Sequence, residues 1–289
     1  MEKDYLSKLR DCEFDFDETP LVSVVTTAFN IEKFLPEAIE SVLNQATNFK
    51  VEMVIGEDCS TDNTRQLALE YQEKYPEIIR VLLPDSNQGI TPNCIATHEA
   101  CRGKYIALLD GDDFWISEDK LQKQIDFLES NPEYSGSAHQ SIVIYEDSDV
   151  KHNFGEDAEL DFELKDTISN RKFHTSSLVY RKEIWDKVNG IPSTVAVSND
   201  RAIYPMVAVF GKIKYFKDLH CVYRKTGYGI SSTARYSQIK TELDIIPWIK
   251  SIDEKFPAYK FASFLHYSIF TNSKSIKISD LLKHYFFFA

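Results

Sequence analysis

A basic excess is missing from this sequence. Lys and Arg number 33 against 45 Asp and Glu in 289 residues, a formal charge of −12, which disfavours a sequence-independent grip on nucleic acid or anionic lipid. Cysteine is scarce: the five present (Cys12, Cys59, Cys94, Cys101, Cys221) are odd in number and form no C-x-x-C pair, so neither a disulfide framework nor a zinc ribbon is indicated and a reducing cytoplasm is expected. Residues Met1 to Asp17 lack an apolar core, and no apolar run reaches the roughly 18 residues that would span a bilayer. Neither a signal peptide nor an integral membrane protein is expected. Glycine is absent from Thr26-Thr27-Ala28-Phe29-Asn30, which follows the first predicted strand, so a phosphate-cradling loop of the kind a nucleotidylyltransferase would want is not there.

What is present is an ordinary globular content, 43% hydrophobic, arranged as alternating strands and helices. Leu21 to Thr27 is a β-branched run, followed by Asn30 as a candidate N-cap and by Ile31, Leu35, Ala38, Ile39 and Val42 at helical spacing. The alternation repeats: Val51 to Glu57 reads as a strand, Asp62 to Tyr75 as a helix and Ile78 to Leu83 as a strand. Ile90 to Cys101 then reads as a helix, and Tyr105 to Asp110 as a strand buried on both faces. Short connections in such a series imply a mostly parallel sheet with right-handed crossovers.

Ser117 is a candidate N-cap for a helix carrying Leu121, Ile125 and Leu128. Beyond it Ser135 to Tyr145 and Ser176 to Arg181 look extended, while Glu146 to Asp166 is an acid-rich stretch that reads as a solvated loop. Ser198 to Phe210 should be helical despite Pro205, and Ser237 to Asn272 mainly two helices broken near Pro257. The expected organisation is a lead-in at 1–20, a core domain at 21–235 (nucleotide-binding half 21–116, acceptor half 117–235) and a helical extension at 236–289.

In open parallel sheets ligands bind at the carboxyl ends of the strands. Three segments bring polar groups there: Thr27 to Asn30, Glu57-Asp58, and Asp110-Gly111-Asp112-Asp113. Three carboxylates within four residues repel by roughly 4 kcal/mol per close pair at an effective dielectric of about 20. Period-2 alternation would aim Asp110 and Asp112 the same way, and hard oxygen ligands suit Mg²⁺ or Mn²⁺ shared with phosphates. A solvated acidic turn, with Asp113 capping the next helix, is the alternative. Ser60-Thr61-Asp62 can cap the second helix alone, which leaves Glu57 and Asp58 free to accept the imide N–H of a pyrimidine. Phe29 either stacks on such a ring or packs in the core, with the core favoured. Trp115 reads equally as a core anchor or part of an acceptor site. His174 and His220 have no ligand-spaced partners and read as structural.

The blocks VSVVTTAFN (Val22 to Asn30), VIGEDCSTDNT (Val54 to Thr64), NQGITPN (Asn87 to Asn93) and GKYIALLDGDDFW (Gly103 to Trp115) resemble the family 2 glycosyltransferases of GT-A fold. HTSSLVYR (His174 to Arg181), SND (Ser198 to Asp200) with FGKI (Phe210 to Ile213), and YRKTGYGISS (Tyr223 to Ser232) resemble its later blocks. The resemblance implies a Rossmann-like α/β fold and inverting, metal-dependent transfer from a nucleotide-diphosphate sugar, UDP-linked. The acceptor would be a saccharide or lipid-linked saccharide in surface polysaccharide assembly.

Residue by residue, it implies that Thr27, Phe29, Glu57, Asp58, Asn93 and Asp110 bind the nucleotide sugar. Asp112, with Asp113 beside it, would hold Mn²⁺ or Mg²⁺, and Asp200 would serve as catalytic base. On its own, Asp200 in a first helical turn could equally complement the helix dipole. Where relatives often carry a histidine after Y-R-x this chain has Thr226, and Arg224 and Lys225 are then candidates to neutralise phosphate. A non-catalytic module that keeps the donor pocket is the rival reading. The aromatic tail Leu281 to Ala289, preceded by lysines, is expected to contact a second subunit or its own core before a membrane surface.

Overall fold

The computed structural model describes residues 10–11, 19–227, 229 and 235–272, with side chains for 19–227, 229 and 235–268. The tail Leu281 to Ala289, Cys12, and Tyr228 and Ile230 to Ser232 of the last motif lie outside the described residues.

In chain order the elements are β1 (Arg10–Asp11), β2 (Val22–Ala28), α1 (Leu35–Leu43), β3 (Val51–Glu57), α2 (Thr64–Lys74), β4 (Ile79–Leu83), α3 (Ile90–Glu99), β5 (Tyr105–Leu108) and β6 (Phe114–Trp115). The second half adds α4 (Lys120–Ser130), β7 (Tyr134–Tyr145), β8 (Ser148–Phe154), β9 (Leu160–Phe162), α5 (Leu164–Thr167), a 3₁₀ turn (Thr175–Ser177), β10 (Val179–Arg181), α6 (Lys182–Val188), α7 (Asn199–Val209) and β11 (Lys212–Lys225). A helical end follows: α8 (Tyr236–Ile239), a 3₁₀ turn (Lys240–Asp244), α9 (Ile245–Ile252) and α10 (Ala258–Asn272).

Among the described residues the strands form one sheet, ordered β1-β4-β3-β2-β5-β10-β7-β11-β6, with β8 on β7 and β9 on β11. It is parallel across β4-β3-β2-β5. It turns mixed where β10 runs antiparallel between β5 and β7 and β11 rejoins β7 in parallel. Along β2, Val22 and Val24 enter the apolar cluster that α1 and α4 cover with Leu35, Ile39, Leu121 and Ile125. Val25 enters the opposite cluster, with Trp185, Ile203 and Met206. Both faces being covered explains why these strands read as continuous apolar runs. Ile245, Ile249, Phe261 and Leu265 of the helical end join the second cluster, so this end shares the core of the sheet.

Close approach fixes one glycine. A Cβ on Gly56 would lie 2.1 Å from Thr97 Oγ1 and 2.4 Å from Asn93 Oδ1, so α3 packs directly on the backbone of β3.

Three expectations are corrected. Helix α1 begins at Leu35, because Asn30 adopts φ 53 and turns the chain instead of capping it. Ser117 does not cap α4, whose N-cap position is Asp119; Ser117 Oγ instead bonds Asp119. The acid-rich stretch contains the exposed edge strand β8, whose charged side chains concealed its pairing with β7.

Candidate active site

The carboxyl ends of β3, β2 and β5 stand side by side, with Ala28 opposite Glu57. Glu57 and Asp110 are thus two strand spacings apart, about 10 Å.

The loops leaving β2 and β3 are bonded to each other. Asn30 Oδ1 accepts Thr61 N at 2.8 Å, Ser60 Oγ accepts Asn30 N at 3.0 Å, Asp62 Oδ2 accepts Glu32 N at 3.1 Å and Glu32 Oε2 accepts Asn63 N at 2.7 Å. Glu57 and Asp58 are correspondingly not spare, which corrects the expectation. Glu57 is fully buried, accepts Ser60 N at 2.7 Å and pairs with Arg65 Nε at 2.5 Å. Asp58, 3% exposed, accepts Gln88 N at 2.7 Å and Gly89 N at 2.8 Å and so gathers the loop after β4. Burial pushes its carboxyl above the ordinary range while those two amides pull it back. Asn93 is also buried and donates to Gly56 O at 2.7 Å, clamping α3 to β3. Phe29, by contrast, is 45% exposed at this rim, where the core was favoured. Thr27 is half-buried beside it.

Asp110 to Asp113 form a turn, closed by Asp113 N to Asp110 O at 2.9 Å. Gly111 seats it on β2: a Cβ there would meet Ile31 Cδ1 at 2.5 Å and Thr27 O at 2.9 Å. Because the chain turns and does not continue as a strand, the predicted alternation of Asp110 with Asp112 does not apply. Asp110 converges on Asp113 instead, and His174 joins them, with one ligand atom from each within 4.8 Å of the others. His174 was read as structural from its spacing. Its partners lie some sixty residues earlier, and only the fold unites them.

Asp113 is the hub of the turn. It accepts His174 Nε2, Ser176 Oγ at 2.6 Å and Arg224 N at 2.8 Å, joining the turn to the 3₁₀ segment and to β11. His174 stacks on Tyr223 with centroids 3.9 Å apart. Trp115 is buried and donates Nε1 to Ser176 O at 2.8 Å, which makes it a core anchor. Arg224 is committed elsewhere: its guanidinium bonds Asp112 O at 2.9 Å and pairs with Glu37.

The electrostatics are those of a site short of positive charge. Burial and the neighbouring Asp113 push Asp110 up to about 6, and burial with Asp113 and Asp110 pushes Asp112 well above its usual range. Two carboxylates and an imidazole are ligand types suited to Mn²⁺ and compatible with Mg²⁺, with the imidazole Nε2 given to Asp113 and its buried Nδ1 without a hydrogen-bond partner among the described residues. The residues present fit a divalent cation. Asp200 occupies the second position of α7 behind Ser198, whose side chain makes no capping bond. It is close enough for its charge to raise Asp110, and its Oδ2 pairs with Arg171 Nη1 at 3.3 Å. Among the described residues, no helix is long and apolar enough to cross a membrane.

Comparison with known proteins bears on the family and the fold. "Uncharacterized protein Rv1520" of Mycobacterium tuberculosis is 33% identical over 214 residues, covering 74% of this chain and 61% of that protein. The "Putative teichuronic acid biosynthesis glycosyltransferase TuaG" of Bacillus subtilis is 40% identical over 109 residues, 38% of this chain and 42% of its own. The chain thus spans about three fifths or less of the length of these curated relatives. A crystal structure of S. aureus TarS in complex with UDP-GlcNAc superposes with TM-score 0.68 at 19% identity, covering 90% of this chain and 77% of that one. That likeness establishes the shared α/β fold. Residues 23–187, more than half of the chain, match the pattern described as "Glycosyl transferase family 2", and with that match laid over the sheet and acidic rim described above, the chain belongs to glycosyl transferase family 2.

Proposed function

We propose that this protein transfers a sugar from a UDP-linked donor to a hydroxyl of a saccharide or lipid-linked saccharide, with inversion at the anomeric carbon, in the assembly of a surface polysaccharide. The observation that carries this reading is the convergence of Asp110, Asp113 and His174 at the strand ends of a family 2 sheet, with Asp200 near enough for its charge to act on Asp110. The UDP-GlcNAc bound by TarS supports the choice of nucleotide, and the name of TuaG supports the polysaccharide setting.

In this reading exposed Phe29 offers its face to the base, with Thr27 beside it. Asp58 acts by shaping the loop at Gln88 and Gly89, and Glu57 and Asn93 brace the pocket from beneath. Asp110, Asp113 and His174, with Asp112 adjacent, would hold Mn²⁺ or Mg²⁺, which when bound neutralises charge developing on the departing diphosphate.

Asp200 accepts the proton of the acceptor hydroxyl. The hydroxyl oxygen forms a bond to the anomeric carbon as the carbon–phosphate-oxygen bond breaks, and that electron pair leaves with the nucleoside diphosphate. A single displacement inverts configuration and needs no covalent sugar–protein intermediate. UDP release from a panel of UDP-sugars, with water as acceptor and Mn²⁺ present, is the test. Asp200→Asn should lower release by about 10²- to 10⁴-fold, the usual worth of a general base, with UDP binding retained. Undiminished release by that variant would remove the assigned role.

A further inference from the structure

The segment between α5 and the 3₁₀ turn carries one residue that the sequence motifs do not include. Arg171 sends Nη1 to Asp200 Oδ2 at 3.3 Å, with side chains 37% and 12% exposed. Its other electrostatic partners include the phenols of Tyr204 and Tyr223 and the carboxylates of Asp110 and Glu242. Tyr223 stacks on His174 at 3.9 Å with an interplanar angle of 15°, and His174 bonds Asp113. An unbroken chain of contacts therefore runs from Asp200 through Arg171, Tyr223 and His174 to the acidic turn.

Two nearby arginines have different work. Arg224 is held by Glu37 and Asp112 O, and Arg201 by Glu242 at 3.0 Å and Ser268 at 2.8 Å. Asp200 Oδ1 accepts Arg201 N at 3.0 Å, which leaves Oδ2 to be placed by Arg171. A planar guanidinium fixed at its other edge holds that oxygen in a way a diffusing counter-ion cannot.

We propose that Arg171 is the positioning residue of the base: it holds the Asp200 carboxylate at a set distance and angle from the donor cluster, through Tyr223 and His174. This rests on the reading of Asp200 as base given above. Arg171 itself touches neither donor nor acceptor. Its contribution is geometric, and an error of about 1 Å in the placement of a reacting group costs on the order of 100-fold in rate.

The test measures UDP release from whichever UDP-sugar of the panel the wild-type protein turns over fastest, together with binding of UDP alone by calorimetry. Arg171→Gln should lower kcat by about 100-fold and leave donor KM and UDP affinity within about twofold of wild type. Arg171→Lys, which keeps the charge but not the fork, should recover part of that loss. Because both residues act as a unit, adding Arg171→Gln to Asp200→Asn should cost nothing further.

Weakening of UDP binding by tenfold or more would identify Arg171 as a phosphate ligand and overturn the proposal. Wild-type kcat in Arg171→Gln, or a loss that multiplies with that of Asp200→Asn, would overturn it too while leaving the transferase reading intact. Full activity in Asp200→Asn alone would remove the base role of Asp200 and this inference with it, whereas no UDP release by the wild-type protein from any UDP-sugar would sink the transferase reading itself. Should Arg171→Gln fail to fold, the kcat-to-KM comparison is read from Arg171→Lys.

Discussion

Lys120 is the most anomalous charge in the protein, and replacing it with methionine should make the protein more stable. The side chain is completely buried between α4 and the sheet. Its ammonium has no hydrogen-bond partner within the chain and rests 4.0 Å from the Trp115 ring centroid. Burial lowers its pKa from 10.5 to about 7, with the nearby Cys221 opposing the drop. At about 1.4 kcal/mol per tenfold change in proton affinity, holding Lys120 inside costs up to about 5 kcal/mol wherever the unfolded chain would be charged. The Trp115 face returns up to about 2 kcal/mol. Methionine matches the aliphatic stem in length and carries no charge, so a gain of about 3 kcal/mol is expected, in line with other buried charges replaced by apolar groups.

The sign with pH follows from linkage. Between about 7 and 10.5 the unfolded chain binds more protons than the folded one, so wild-type stability rises with pH through that window. The advantage of Lys120→Met is therefore largest on the acid side of pH 7 and shrinks toward pH 10. Urea unfolding midpoints at pH 6.5 and pH 9.5, at unchanged m-value, measure this directly. A variant less stable than wild type at both pH values, or a difference that does not change with pH, would refute the reasoning.

Two further substitutions probe the scaffold. Glu52 is buried and accepts Ser23 Oγ at 2.5 Å and Arg102 through N, Nε and Nη2 at 2.7–3.0 Å. Glu52→Ala strands those donors and should cost about 3–5 kcal/mol by chemical denaturation. Gly56→Ala drives a methyl into Thr97 and Asn93. Both are anchored by their own hydrogen bonds, so a loss of about 1–3 kcal/mol is expected, seen as a lower urea midpoint.

The sequence was most legible where physics is local. Period and β-branching located β2, β3, β4 and β5 to within a residue or two, because strands buried on both faces have no alternative composition. The rim at Ala28, Glu57 and Asp110 followed from those strand ends. What failed depended on partners distant in the chain. Glu57 looked free because Arg65 lies on a helix whose facing direction only packing decides, and Asp58 looked free because the loop at Gln88 and Gly89 folds back onto it. His174 looked isolated because nothing near it in sequence is a ligand. Strand β8 looked like a loop because an exposed edge strand carries the charges of one. Arg171 had no local signal at all.

The cross-bonded loops after β2 and β3 also bear on how this rim can change. Each loop uses the backbone of the other as its scaffold, through Asn30, Ser60, Glu32 and Asp62. An insertion in either one removes partners from both, so the two loops keep their shape only if they are exchanged as one piece. Residues 29–32 and 60–63 are a single structural unit split across two stretches of chain.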